Sequence, residues 1–264
     1  MKMKIKQILN FKFYSVLALA FLLNSCAVKK EKILYLQDIS SSIPFELFYS
    51  ENKLQVNDII DIKVSALIPE AALPYNKSSG VFDQQSNNLE LIKLNGYLVT
   101  KDKTINFPVL GRISVLDKTI SDLESYLKKR LSTEGLLIDP IVTVRLLNAK
   151  VTLLGEVKSP GTYNFTENNM SFLQALGLAG DLNINANRKD IIIIRNIENK
   201  QVASNIDLTS SEWLNGPYSL IKSNDVIIVN PNRSKIISSG FFGNSGSFVS
   251  IASLLISTVV LILN

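Results

Sequence analysis

Short apolar runs, each bounded by turn residues, are the feature that most restricts the fold of this chain. Ile60, Ile62 and Val64 alternate with polar residues, which is the pattern of a strand with one buried face. Similar runs recur from about residue 45 to residue 230, and short helical patterns lie between some of them. Strands and short helices in this order predict an α+β fold built from two small domains.

A helix and a hairpin give the clearest local signals. Thr119 is placed so that its hydroxyl can cap the backbone N–H of Asp122 at the start of a helix. That helix keeps one apolar face, formed by Ile120, Leu123, Leu127 and Leu131. Farther along, Pro160 and Gly161 suit a type II turn between two strands, because proline presets φ and glycine accepts a positive φ.

The segment from residue 68 to residue 91 predicts a loop or a mobile insertion. It contains Pro69, Pro74 and Gly80, followed by a polar run of glutamine, serine and asparagine. These residue types interrupt regular secondary structure. The sequence leaves open whether the segment is ordered.

The N-terminus has the pattern of a secretory signal with a lipid attachment site. Four lysines precede an apolar stretch over residues 13–23, which suits a signal peptide and is too short for a mature membrane span. Leu23-Asn24-Ser25-Cys26 follows and resembles the lipobox of bacterial lipoproteins, in which the cysteine is acylated. The alternative is an ordinary signal peptide with an incidental cysteine. We favour lipidation of Cys26, because it is the only cysteine and lies where cleavage is expected.

The charge of the chain argues against a nucleic-acid partner. The sequence has 28 Lys and Arg against 23 Asp and Glu, and four of the lysines belong to residues 1–25. Removal of that leader leaves 24 against 23, so the mature chain is close to neutral. A single cysteine also excludes an internal disulfide framework and a multi-cysteine metal site.

The C-terminus predicts a transmembrane helix over residues 248–264. No charged residue follows Ile236, and a helix of this length would be about 25 Å long, close to the ~30 Å hydrocarbon core of a bilayer. Ser250, Ser253 and Ser257 would form one stripe along it. The stripe has two interpretations: small residues that let neighbouring helices pack closely, or hydroxyls that a ring of helices turns toward a water-filled pore.

The sequence lacks the groups that most enzymes need. It has no histidine, and no nucleophile elbow, P-loop or dinucleotide-binding glycine motif occurs. A pair among Asp58, Asp61, Asp102 and Asp139 could act as glycosidase acid and base. Each of them, however, lies at a predicted strand end or turn, where aspartate usually caps the backbone. We therefore predict a protein that is not an enzyme, with no cofactor and no metal site.

An ordered series of motifs extends from about Leu54 to Pro231. The first half contains Leu54-Gln55-Val56-Asn57-Asp58, then Asn95-Gly96-Tyr97-Leu98 and Ile105-Asn106-Phe107-Pro108, then Asp139-Pro140-Ile141-Val142. The second half contains Leu154-Gly155-Glu156-Val157-Lys158-Ser159-Pro160-Gly161. In this order the motifs resemble the polysaccharide biosynthesis/export family, outer-membrane exporters of capsule and exopolysaccharide, whose export domain precedes a soluble-ligand-binding β-grasp (SLBB) domain.

This resemblance implies a domain organisation. The expected parts are a signal peptide (1–25), a lipid-anchored segment (26–45), an export domain (46–148), one β-grasp domain (149–231), a linker (232–247) and the C-terminal transmembrane helix (248–264).

The resemblance also implies a function. Members of this family form a homo-oligomeric ring, often of eight subunits, whose terminal helices make a pore in the outer membrane. An inner-membrane polysaccharide co-polymerase, a tyrosine kinase in some systems, docks beneath the ring and supplies the polysaccharide. The expected location is the outer membrane, with a lipid on Cys26 and most of the chain in the periplasm. The alternative is a periplasmic glycan-binding or scaffold lipoprotein that acts as an adaptor.

Overall fold

The computed structural model describes most of the chain between the two apolar ends. The described residues are 33–39, 51–77, 89–167, 169–197, 200–239 and the single positions 250, 253, 254, 257 and 258. Two hydrophobic cores organise them, one over residues 54–144 and one over residues 149–229. We call residues 51–148 the first unit and residues 149–231 the second unit.

A three-stranded antiparallel sheet forms the base of the first unit. Its strands are β1 (Ile59–Ser65), β2 (Tyr97–Leu98) and β5 (Ile141–Leu146), in the order β2-β1-β5. β3 (Thr104–Phe107) and β4 (Gly111–Ser114) form a separate hairpin. The predicted alternation is confirmed in β1, because Ile60, Ile62 and Val64 are buried.

Helix α3 (Ile120–Thr133) covers this sheet with the apolar face that the sequence predicts. Leu123, Leu127 and Leu131 are fully buried. The Thr119 hydroxyl accepts the N–H of Asp122, and the Asp122 carboxylate accepts the N–H of Thr119, which completes a capping box. The predicted start of this helix is therefore confirmed.

Residues 68–91 contain regular structure that the loop prediction missed. Helix α1 (Pro69–Ala72) leads into a 3-10 turn at Leu73–Tyr75, and helix α2 (Leu89–Asn95) begins before the segment ends. Both prolines stand at the first positions of a helical turn, where the missing N–H costs nothing. The Asn76 side chain then fastens the segment to β1, accepting from Val64 N (2.8 Å) and donating to Val64 O (2.8 Å). Residues 78–88 lie outside the described residues.

A five-stranded mixed sheet forms the second unit. Its strands are β6 (Lys150–Gly155), β7 (Gly161–Asn164), β8 (Ala186–Ile197), β9 (Lys200–Ile206) and β10 (Asp225–Pro231), in the order β7-β6-β10-β8-β9. The β6–β10 pair is parallel, and the other neighbours are antiparallel. Helix α4 (Phe172–Leu178) packs Phe172, Ala175 and Leu176 into the core. The mixed sheet and its helix agree with the predicted β-grasp-type unit.

Gly155 explains part of the strongest sequence motif. It ends β6 with φ +86°, and a Cβ atom there would lie 2.1 Å from the carbonyl oxygen of Val229 on β10. A larger residue would therefore separate the two parallel strands. The pairing of Leu153 with Gly161 and of Val151 with Tyr163 confirms the hairpin predicted around Pro160 and Gly161. The predicted type II turn with a positive φ at Gly161 is wrong, because Gly161 is already the first residue of β7 and its φ is not positive.

An ion pair is buried at the centre of the second unit. The Arg195 guanidinium lies 2.7 Å from the Asp225 carboxylate, and the two side chains are 3% and 1% exposed. Arg195 also donates to the carbonyl oxygens of Pro217 (2.7 Å) and Leu220 (2.8 Å). Burial raises the pKa of Asp225, and the hydrogen bonds from Arg195 oppose that rise. These contacts join the β8–β10 sheet to the loop before β10.

The predicted linker after the second unit begins with a helix. α5 (Arg233–Ser238) starts at Asn232, whose side chain accepts the N–H of Lys235 at 2.9 Å. The sequence interpretation missed this helix because only six residues form it and none of them is buried. Such a short, solvated helix has no apolar face to reveal it.

The predicted C-terminal transmembrane helix over residues 248–264 is wrong. Among the residues that the structure describes, no helix is long and apolar enough to cross a membrane. Polarity gives a physical reason, because a span needs about 20 mostly apolar residues. Four of its five described positions carry hydroxyls, namely Ser250, Ser253, Ser257 and Thr258.

Candidate functional site

The joint between the two units is short and held by specific contacts. Leu146 packs against both cores. The Asn148 side chain accepts the N–H of Ile59 (2.9 Å) and donates to the carbonyl oxygen of Asn57 (2.9 Å), so it ties the connection to the start of β1. On the other side, Phe165 N donates to Ala149 O at 3.1 Å. The two units are therefore fixed close to each other at this point.

A cleft opens at this joint, and we call it the interdomain cleft. It has a volume of about 100 Å³ and is partly open to solvent. One wall comes from residues 51–58 and the first turn of α3, and the other comes from residues 165–167, Asn169 and Ser223. Its polar lining residues are Glu51, Asn52, Lys53, Gln55, Asp58, Ser121, Thr166, Glu167, Asn169 and Ser223.

Asp58 supplies a buried carboxylate to the cleft. The residue is 3% exposed, and its Oδ2 accepts the N–H of Gln55 at 2.8 Å. No donor among the described residues reaches Oδ1. Burial raises the pKa of Asp58 to about 6, and the Gln55 hydrogen bond only partly opposes this. The carboxylate is therefore desolvated without a cation beside it.

Two further polar atoms of the cleft have no partner. The Asn52 amide oxygen and the Ser223 hydroxyl are buried and make no hydrogen bond to the residues that the structure describes. Both residues line the cleft and are half buried. The Glu51 carboxylate accepts from the Ser121 hydroxyl (2.9 Å), and the Lys53 ammonium lies 3.1 Å from Asp117. Free hydrogen-bonding capacity is thus concentrated at Asp58, Asn52 and Ser223.

Residues 33–39 form an N-terminal strap across the second unit, although the first unit follows them in sequence. Leu36 N donates to Leu208 O (2.9 Å), and Gln37 N donates to Thr209 O (2.7 Å). The Asp38 carboxylate accepts from the hydroxyl of Ser210 (3.0 Å). The chain therefore contacts the second unit before it builds the first.

Side-chain contacts of Tyr35 add to the strap. The Tyr35 hydroxyl donates to Asp181 at 2.5 Å, and the Arg188 guanidinium lies 5.4 Å from the centre of the Tyr35 ring. Burial and the contact with Asp181 raise the pKa of Tyr35. At the far end, the N–H of Ser211 lowers the pKa of Asp38.

The predicted site residues do not gather at the cleft. Cys26 lies outside the described residues. The Ser253 hydroxyl donates to Ser250 O at 2.9 Å, and the Ser257 hydroxyl donates to Ser253 O, so both bind the backbone of their own helix. Whether this stripe lines a pore or packs against a neighbour stays a prediction.

Among the four aspartates considered for glycosidase chemistry, only Asp58 is buried. Asp139 is exposed and lies 3.3 Å from the Lys128 ammonium. Within the described ranges, no group of three or more acidic, cysteine or histidine side chains could hold a metal ion. Sequence analysis missed Asn52 and Ser223, because nothing in their local sequence shows that folding brings them together.

Two family models match the chain. Residues 49–147 match the model for polysaccharide biosynthesis/export proteins, and residues 150–204 match the SLBB domain. The division between the two matches coincides with the joint that Leu146 and Asn148 form. A match to an export family supports the prediction that the protein is not an enzyme.

Two curated relatives carry the same name, "EPS I polysaccharide export outer membrane protein EpsA". The protein of Ralstonia solanacearum is 26% identical over 149 residues, which are 55% of this chain and 39% of the relative. That of Ralstonia nicotianae (strain ATCC BAA-1114 / GMI1000) is 33% identical over 93 residues, which are 34% of this chain and 24% of the relative. The chain therefore aligns with well under half the length of these relatives. The export domain and the SLBB domain follow each other in the expected order, so residues 49–147 of this chain are similar to polysaccharide biosynthesis/export proteins and residues 150–204 are similar to SLBB domains.

Proposed function

We propose that this protein is an outer-membrane subunit of a machine that exports a capsular polysaccharide or exopolysaccharide. The observation that carries the proposal is the tandem of an export domain and an SLBB domain, joined at Leu146 to Asn148. The names of both relatives support polysaccharide as the cargo and the outer membrane as the location. In this function the chain moves a polymer and makes or breaks no covalent bond.

The anchor in this proposal is a lipid on Cys26. The support is the lipobox-like sequence Leu23-Asn24-Ser25-Cys26 after an apolar signal stretch. The folded units would then lie in the periplasm. Replacement of Cys26 by alanine should shift the protein from the outer-membrane fraction to the soluble periplasmic fraction. An unchanged membrane fraction would contradict a lipid anchor at this residue.

The working form in this proposal is a ring of identical subunits. Large apolar side chains are exposed at one end of the first unit, including Leu67 (84% exposed) and Ile138 (80% exposed). The pairing of Ser65 with Ile141 brings the chain after β1 close to the start of β5, an edge strand that also exposes Ile141. Exposed apolar patches of this kind mark protein interfaces. A ring could then receive polysaccharide from an inner-membrane co-polymerase.

Deletion of the gene tests the proposed function. Cells that lack the protein should secrete little polysaccharide, and the full chain supplied in trans should restore secretion. Normal secretion by the deletion strain would overturn the proposal.

The mass of the detergent-solubilised protein tests the ring. A single species of many subunits is expected, whereas a monomer would favour the adaptor function instead.

A further inference from the structure

We propose that the interdomain cleft is a saccharide-binding site, which takes neutral or amino sugars through Asp58, Asn52 and Ser223. The identity of the ligand class rests on the proposed export function. The site itself rests on the arrangement of the cleft and its unpartnered polar atoms. It lies at the joint, so a bound sugar would contact both units.

The hydrogen-bonding capacity of the cleft matches sugar hydroxyls. Oδ1 of Asp58 and the amide oxygen of Asn52 can only accept hydrogen bonds, and the Ser223 hydroxyl can donate or accept. Sugars present several hydroxyl donors on neighbouring ring carbons. A hydroxyl that donates to a buried carboxylate makes a charge-assisted hydrogen bond, which is stronger than a neutral one. Binding would therefore supply the partners that the fold leaves out.

The charge of the lining selects among sugars. Among the described lining residues, three carboxylates border the cleft, on Glu51, Asp58 and Glu167, against one ammonium, that of Lys53. That ammonium is already paired with Asp117, outside the cleft. The cleft therefore presents a negative field, which repels uronic acids and sulfated sugars. Neutral and amino sugars are free of this repulsion.

Apolar side chains complete the site. Leu54, Ile120, Leu146, Ala149 and Phe165 border the same cleft. A sugar ring has apolar C–H faces as well as hydroxyl edges, so a lining with both kinds of group suits it. Because the cleft is partly open to solvent, we expect weak, rapidly exchanging binding, which suits a polymer that must move on.

Binding to purified full-length protein tests the site. The probes are maltohexaose as a neutral sugar and hexagalacturonate as an acidic sugar of equal length, each titrated by calorimetry in low salt. The test variant is Asn52→Ala with Ser223→Ala. Neither side-chain atom at issue bonds to the rest of the protein, so the variant should keep its melting temperature. The control is Asn106→Ala, an exposed strand residue outside the cleft.

The proposal expects maltohexaose to bind more tightly than hexagalacturonate, with a difference that shrinks as salt screens the field. The double variant should bind maltohexaose about tenfold more weakly, the loss expected for two hydrogen bonds, and the control should bind normally. Three results would each overturn the site: no binding of maltohexaose, equal binding by the double variant, or preference for the acidic probe. Normal export with failed binding would remove only this site, whereas secretion by the deletion strain would remove the export function and leave sugar binding intact.

Discussion

Asp58 in the first unit and Asp225 in the second are both buried aspartates, but their surroundings differ. The Arg195 guanidinium donates to both oxygens of Asp225, and Lys222 N donates as well, at 2.8 Å. Asp58 receives one hydrogen bond, from Gln55 N, and no described cation pairs with it. Burial raises the pKa of both carboxyls. Both side chains are buried, so burial does not distinguish them. The number of hydrogen-bond donors does: Asp225 is paired and stabilises the fold, whereas Asp58 can still accept a hydrogen bond from a ligand.

Replacement of Arg195, the cation that pairs with Asp225, should lower the free energy of unfolding more than any other change considered. Arg195→Met leaves Asp225 buried without a partner, and such a loss typically costs about 3–5 kcal/mol of unfolding free energy. Urea denaturation followed by circular dichroism measures it. Arg195→Met combined with Asp225→Leu should recover part of the loss, and the exposed Arg145→Met should change little. A single variant as stable as the wild type would show that the ion pair does not hold the sheet.

Replacement of Asp58, the unpaired aspartate, by a neutral residue should instead raise the free energy of unfolding at neutral pH. The pKa of Asp58 rises from 3.8 to about 6 on folding, so the folded state holds the proton more tightly. Stability therefore falls as pH rises from about 4 to about 6, by about 3 kcal/mol at about 1.4 kcal/mol per pKa unit.

Asp58→Asn should remove this loss and stabilise the protein at pH 7.5 while leaving pH 4 almost unchanged. Asp38, Asp117 and Asp122 have lowered pKa values, so their contributions are lost only as pH falls toward still lower values. Denaturation at both pH values is the measurement, with Asp102→Asn as the exposed control. An equal pH slope in wild type and variant would refute the burial argument. A gain in stability together with weaker maltohexaose binding would identify a residue kept for function.

Removal of a helix cap in each unit allows the stability of the two units to be compared directly. Thr119 and Ser171 each form a capping box, at the start of α3 and of α4. Replacement of either by alanine should cost about 1 kcal/mol. Because Leu146 packs in both cores, we expect one shared unfolding transition, which both variants lower equally in calorimetry. Separate shifts of two transitions would mean that the units unfold independently.

A change in the N-terminal strap should have the smallest effect on the free energy of unfolding. Tyr35→Phe removes one hydrogen bond, to Asp181, which is worth about 0.5–1 kcal/mol at most. The local effect should be clearer, because opening of the strap exposes the amides of Leu36 and Gln37. Hydrogen exchange at these two amides should accelerate, while exchange in β1 should not. Unchanged exchange would mean that the backbone contacts alone hold the strap.

The sequence predicted the elements whose causes are local. The Thr119 cap, the burial pattern of β1 and the strand pairing around Gly161 follow from neighbouring residues, and all three are confirmed. The type II turn predicted at Gly161 is wrong, because its φ is not positive. The prolines near residue 70 were misread, because proline both breaks helices and begins them. The prediction of a membrane helix is wrong because it gave apolar composition more weight than hydroxyl content.

The candidate site could not be predicted in the same way. Asp58 was noted, but as a residue that caps a turn. Asn52 and Ser223 are 171 positions apart and meet only through the joint at Leu146 and Asn148. The pairing of Arg195 with Asp225 depends likewise on strand order, which alternation of apolar residues does not specify.

The N-terminal strap also decides which unit carries mechanical load. With a lipid on Cys26, only eight residues separate the anchor from Tyr35, so the nine steps of the tether span at most about 32 Å when fully extended. Tension on that tether passes through Leu36 and Gln37 into the segment after β9, so it reaches the second unit and bypasses the first. The second unit would then stay within about 32 Å of the membrane, and the first unit would carry none of this tension.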